Sequence, residues 1–164
     1  MKIGIISDTH DNLTAIDEAA KIFKKVGAGL IIHAGDWNAP FSLVRLAMAK
    51  IRIVGIFGNV DGEREYLKTK AKDTGAELLG EFGELEIEGT KMAIIHGKDE
   101  RIVDALAKSG QYSAVIRGHT HKQEVRELGS TLVINPGEAC GYLTDKRTVA
   151  ILDTLNLEVE VIEF

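Results

Sequence analysis

The chain has one cysteine, Cys140, so it cannot form an internal disulfide, and nothing points to a secreted, disulfide-stapled scaffold. Long apolar runs are also missing. Runs such as Leu30-Ile31-Ile32 and Ala93-Ile94-Ile95 fall far short of the roughly 18 residues that suggest a membrane span. The first apolar run, Ile3 to Ile6, meets Ser7 and Asp8 too soon to be the core of a signal peptide, so the cytoplasm is the expected location. There is no basic run, and 20 Lys+Arg against 25 Asp+Glu leave a net charge of -5. A nonspecific grip on nucleic-acid phosphates and adhesion to acidic membranes are therefore both disfavoured. No glycine-rich loop precedes a helix, which argues against a nucleotide-binding α/β protein. Internal repeats, low-complexity segments and linkers are absent as well.

What remains is 164 residues, 45% hydrophobic and 27% charged, which reads as one globular domain over residues 1–164. A short buried strand opens the chain. Asn12 then caps a helix with Leu13, Ile16, Ala20, Phe23 and Val26 on one face, stopped by Gly27. Strands are predicted over 30–34 and 51–57, flanking a helix that carries Leu43, Val44, Ala47 and Met48. A further helix is predicted over 63–73. Next come alternation at Leu85 and Ile87, a turn at Gly89-Thr90 and a strand over 91–95, which together make a hairpin. A helix over 99–109 follows, and then strands over 114–117, 123–127, 131–134, 148–152 and 157–162. The fold class is α/β, or α+β sandwich: parallel first strands, a mostly antiparallel second half, and two mixed sheets packed face to face with helices outside.

Five of these strands end in polar clusters: Ser7-Asp8-Thr9-His10, Gly35-Asp36, Gly58-Asn59-Val60-Asp61, His96-Gly97 and Gly118-His119-Thr120-His121. Ligands bind outside the carboxyl ends of strands in α/β sheets, so distant clusters can converge there. In extended chain, residues two apart share a side about 6.6 Å from each other, which would aim Asp8 with His10, and His119 with His121, at one site. Thr9 and Thr120 would then face the body of the fold. With Asp36, Asn59 and His96 the set reaches two carboxylates, one amide and four imidazoles. That is too many for one tetrahedral ion and suits two divalent cations sharing a bridging carboxylate. A mixed N/O set without thiolate suits manganese first, with nickel, iron, cobalt and zinc as the others. Asp8 and Asp36 would only half-neutralise two such ions, leaving a positive pocket on an acidic chain.

Asp-x-His, Gly-Asp, Gly-Asn-x-Asp, His-Gly and Gly-His-x-His, in that order over residues 8 to 121, resemble the calcineurin-like metallophosphoesterase superfamily. The short chain and Asn135-Pro136-Gly137 look like its small bacterial and archaeal phosphodiesterases. The resemblance implies a first metal on Asp8, His10, Asp36 and His121 and a second on Asp36, Asn59, His96 and His119. Asp36 would be the bridge, and a hydroxide between the ions would attack phosphorus in line with the leaving oxygen. Asn59, Asp61, His96 and Lys98 are then the residues set closest to the chemistry. Many relatives carry a second histidine where this chain has Lys98, and some larger ones have a histidine where it has Val60. No side chain is thus an obvious donor to the leaving group, although Lys98 can hold phosphate as a point charge. Asp61 would orient the site without being a ligand.

The implied substrate is a small phosphodiester in preference to a monoester, because no arginine cluster adjoins the motifs; Arg64 and Arg101 are no more than candidates for contacting phosphate. The alternatives are a phosphomonoesterase or a protein-interaction scaffold of the retromer-subunit type, which resembles this fold but has lost part of the metal set. No stable nucleic-acid or membrane partner is expected, and a homo-oligomer is open. His33, inside an apolar strand, reads as a hydrogen-bonded core histidine, and Cys140 as a small buried hydrophobe. Asn135-Pro136-Gly137 reads as a turn, Asp11 and Asn12 as helix caps, and Glu84, Glu86 and Glu88 as a solvated strand face. Trp37 and Phe41 either wall the pocket or pack beneath it.

Overall fold

In the computed structural model, which describes residues 1–164, the aliphatic runs form short strands and the amphipathic stretches form helices. In chain order the elements are β1 (Lys2–Ile6), α1 (Leu13–Val26), β2 (Leu30–His33), α2 (Pro40–Ala47), β3 (Arg52–Gly55), α3 (Arg64–Thr74) and β4 (Glu77–Leu78). There follow β5 (Phe82–Ile87), β6 (Thr90–Ile95), α4 (Glu100–Lys108), β7 (Ala114–Ile116), β8 (Gln123–Leu128), β9 (Thr131–Pro136), β10 (Thr148–Asp153) and β11 (Val159–Glu163). No helix is long and apolar enough to cross a membrane.

One sheet has the order β11-β10-β1-β2-β3-β4 and the other β5-β6-β7-β9-β8. Parallel pairing of β1, β2 and β3 agrees with the sequence reading. Both sheets are mixed, as expected: in the second, β6, β7 and β9 run parallel between antiparallel edges. The two halves of the chain do not map onto the two sheets, which is a correction: β10 crosses back to pair antiparallel with β1, and β11 follows it. These pairings are nonlocal, and hydrophobic periodicity carries no information about them.

Alternate residues of each strand serve different layers. Ile3, Ile5, Leu30, Ile32, Val54, Ile94, Ile116 and Ile134 fill the space between the sheets. Ile6, Ile31 and Ile53 point the other way, onto Ile16, Phe23, Leu43 and Leu67 of α1–α3. Ala93, Val115 and Val133 pack on Val103 and Ala107 of α4. The result is four layers in the order helix, sheet, sheet, helix.

Local signals placed most boundaries within two residues. The Asn12 side chain accepts the Ala15 N–H at 3.1 Å and caps α1. Asp11 acts elsewhere than expected: its Oδ1 accepts from Ala39 N and Ser42 Oγ, fastening the start of α2. The hairpin turn is Glu88-Gly89, both at positive φ, with Thr90 already in β6.

Candidate metal centre

The carboxyl ends of β1, β2, β3, β6 and β7 lie at one end of the two sheets, and the five polar clusters meet there. They do so through loops and not through extended chain. Asp8, His10, Asp36, His119 and His121 all have φ between 41° and 72°, the left-handed region that Asp, Asn and His enter more readily than most residues. The extended i, i+2 geometry expected for Asp8/His10 and His119/His121 is thus wrong, although the outcome, side chains facing one site, is as expected. Thr9 does face the body, bonding the His33 ring at 3.0 Å. Thr120 is exposed instead.

The two carboxylates sit among the imidazoles. Asp8 Oδ1 is 4.0, 3.9 and 3.6 Å from the Nε2 atoms of His10, His96 and His121. Asp36 Oδ2 is 3.7 Å from His10 Nε2 and 3.2 Å from His96 Nε2. The rings form two pairs: His10 stacks on His121 with centroids 5.3 Å apart, and His96 meets His119 edge-on at 5.2 Å. His119 also donates its backbone N–H to Asp8 Oδ2 at 3.1 Å. Asn59 is exposed at the mouth, lining an open cleft of about 540 Å³ with His10, Asp36, His119 and His121.

The surroundings set the ring orientations. A backbone carbonyl only accepts, so the 2.8 Å contact to Ala34 O puts a proton of His96 on Nδ1 and leaves Nε2 facing the carboxylates. His121 Nδ1 is 2.7 Å from Oε2 of Glu138, a carboxylate with no solvent exposure. Burial works against charge on Glu138, but bonds from Thr144, His121 and Cys140 outweigh it and bring its pKa down to about 2. An ionised Glu138 fixes the proton of His121 on Nδ1, leaving Nε2 free for the site. Burial likewise opposes ionised Asp36, yet the His96 ring, the Val60 N–H and His10 bring its pKa down to about 2. For His96, burial disfavours charge and the Asp36 and Asp8 carboxylates more than compensate, so its pKa is raised.

Asp8 Oδ1, His10 Nε2 and His96 Nε2 are buried without any hydrogen-bond partner. Leaving such atoms unsatisfied costs about 1–3 kcal/mol each, and these three, gathered beside the Asp36 carboxylate, are what a divalent cation would satisfy. Donor atoms of Asp8, His10 and Asp36 lie within 4.8 Å of one another. The chemistry of the donor set therefore fits a metal centre.

Glycine makes the convergence possible. A Cβ on Gly58 would stand 2.0 Å from Asp36 Oδ1, and one on Gly118 would stand 1.9 Å from Ser7 Oγ. Asp61 joins two loops from beneath: its Oδ2 accepts from Gly58 N at 2.7 Å and Asp36 N at 3.1 Å, and its Oδ1 from Asn38 N at 2.8 Å. Its carboxylate therefore contacts backbone N–H groups of the loops. Lys98 is not brought to the cleft; it lines a neighbouring hollow of about 290 Å³ with His96, Glu81 and Phe82.

The chain matches the calcineurin-like phosphoesterase superfamily domain over residues 1–157. It belongs to that superfamily. A phosphodiesterase of Methanocaldococcus jannaschii is 43% identical over 155 residues, covering 94% of this chain and 93% of that protein. A solved structure described as a novel archaeal phosphodiesterase superposes with a TM-score of 0.96 at 41% identity, covering 100% of both chains. Vps29 of Chaetomium thermophilum shares the fold alone, with a TM-score of 0.72 at 15% identity over 99% of this chain and 96% of its own. Phosphoesterases of this superfamily depend on metal, in keeping with the unsatisfied donors.

His33 is a buried, hydrogen-bonded core histidine, accepting the Gly35 N–H at 3.2 Å and stacked on Trp37. Trp37 is fully buried and donates to Ile56 O, so it packs; Phe41 is exposed and lines a different hollow. Asn135 lies within β9, not in a turn, and its Nδ2 braces the histidine loop through Gly118 O at 3.0 Å and Thr120 Oγ1 at 2.9 Å. Cys140 is buried, though its thiol meets Glu138 at 3.1 Å, and burial pushes its pKa up to about 12. Sequence reading missed Glu138 and the buried Arg117, whose guanidinium binds the carbonyls of Gly97 and Gly118 and pairs with Glu100. The available signal for Glu138 was its place just beyond a sixth strand, β9, at the same end of the fold.

Proposed function

We propose that the chain is a phosphodiesterase working through two divalent cations. Asp8, His10, Asp36 and His121 would hold one and Asp36, Asn59, His96 and His119 the other. The observation that carries this reading is the cluster of partnerless buried donors, Asp8 Oδ1, His10 Nε2 and His96 Nε2, between two pairs of imidazoles. When bound, such cations lower the pKa of water toward 7 and offset charge on the phosphoryl oxygens. Glu138 and the Ala34 carbonyl hold His121 and His96 in the tautomer that offers Nε2. Asp61 keeps the Asp36 and Gly58 loops in register.

Preference for a diester is supported by the cleft, which is lined by His10, Asp36, Asn38, Asn59, Val60, His119, Thr120, His121, Tyr142 and Leu143 and by no lysine or arginine. A dianionic monoester would find no cationic side chain there, whereas a monoanionic diester needs none. The likeness to the Methanocaldococcus jannaschii phosphodiesterase supports the same reading. A scaffold role in the manner of Vps29 has only the shared fold behind it, while the full donor set favours the enzyme. The test is hydrolysis of a chromogenic diester and the matching monoester with Mn, Ni, Co, Zn and Mg added to metal-free protein. Metal-dependent turnover favouring the diester is expected; a metal-loaded, folded chain inactive on both overturns the proposal.

A further inference from the structure

We propose that Tyr142 and Leu143 form an apolar shelf that binds a flat aromatic group on one ester arm, so that the site selects arene-bearing phosphodiesters; this rests on the phosphodiesterase reading above. Both side chains line the cleft that also contains His10, Asp36, His119 and His121. They are 60% and 73% exposed, and Val60 from the loop after β3 adds a third exposed apolar residue, 42%, to the same lining.

A lone exposed leucine needs no explanation. Here, however, the backbone beneath the pair is held by the groups that organise the metal centre. Glu138, which fixes His121, also accepts the Leu143 N–H at 3.0 Å together with the N–H and hydroxyl of Thr144. Just upstream, the Cys140 N–H donates to Asp8 O at 3.1 Å, and Asn12 Nδ2 donates to Cys140 O at 2.9 Å. The shelf is thus built at a fixed position relative to Asp8 and His121. Pre-ordering of this kind lowers the cost of binding, and tyrosine offers a large rigid face with few rotamers to freeze. Because the cleft lining has no lysine or arginine, recognition beyond the phosphoryl group falls to apolar contact and to the Asn38 amide and Thr120 hydroxyl.

Two phosphinates test this without turnover, since their P–C bonds cannot be hydrolysed and each carries the single negative charge of a diester. Calorimetric titration of the metal-loaded protein with diphenylphosphinate and dimethylphosphinate should give roughly ten-fold or greater preference for the diphenyl probe, as expected of a stacked aromatic contact. Tyr142→Ala should reduce that preference to within about three-fold, and Tyr142→Phe should retain it. Dicyclohexylphosphinate, apolar but not flat, should bind less well than the diphenyl probe. An undiminished preference in both Tyr142→Ala and Leu143→Ala overturns the shelf while leaving the phosphodiesterase reading intact. Failure of the metal-loaded wild type to bind either probe or to hydrolyse any diester overturns both.

Discussion

His121 Nδ1 and Glu138 Oε2 lie 2.7 Å apart, joining an imidazole at the mouth of the site to a carboxylate with no solvent exposure. Outer carboxylates of this kind typically account for 10- to 100-fold in metal affinity. Glu138→Gln should weaken divalent-metal binding by about that factor, and Glu138→Ala at least as much, as read by competition with a chromogenic chelator. Unchanged affinity in both variants would remove Glu138 from the account.

Glu138 also gives the metal-free protein a pH signature. Its folded pKa of about 2 is below the ordinary 4.5, so it contributes stability that is fully present above pH 4.5 and disappears as the pH falls toward 2. Glu138→Gln does not titrate in this window. Urea unfolding of metal-free wild type should therefore lose roughly 2–3 kcal/mol more than the variant between pH 5 and pH 2, with Asp36 contributing equally to both.

Gly58 has no room for a side chain, because Asp36 occupies the space a Cβ would need. Gly58→Ala should cost about 1–3 kcal/mol in urea unfolding and reduce metal occupancy by displacing the Asp36 carboxylate. A variant that keeps wild-type stability and full metal binding would contradict the packing described.

Asp61 provides a comparison in which loop register changes and no proposed ligand is lost. Its carboxylate accepts three backbone N–H groups, from Asp36, Asn38 and Gly58. Asp61→Ala strands those donors and should destabilise the metal-free fold by about 2–3 kcal/mol, with Asp61→Asn intermediate, measured by thermal and urea unfolding.

The site was legible in the sequence because each donor cluster directly follows a buried strand: Asp8 after β1, Asp36 after β2, Asn59 after β3, His96 after β6 and His119 after β7. Periodicity finds such strands, and the polar residues stand out against them. Other features depend on contacts that local sequence does not encode. The left-handed φ of Asp8 and His10 follows from hydrogen bonds of their loop to Gly35 and Asp36. Pairing of β10 with β1 spans nearly the whole chain. Asn135 and Glu138 resemble turn residues until the fold brings them beneath the histidine loop. Lys98 is two residues from a proposed ligand in sequence, yet it lines a neighbouring hollow and not the cleft.

Two-cation phosphodiesterase action is tested by the rate of diester hydrolysis as divalent metal is titrated into metal-free protein. The rate should rise from zero to a plateau at two equivalents per chain, and His119→Ala should lower that plateau by at least about 100-fold. A plateau at one equivalent would contradict the two-cation arrangement, and absence of hydrolysis at every loading would contradict the assignment itself.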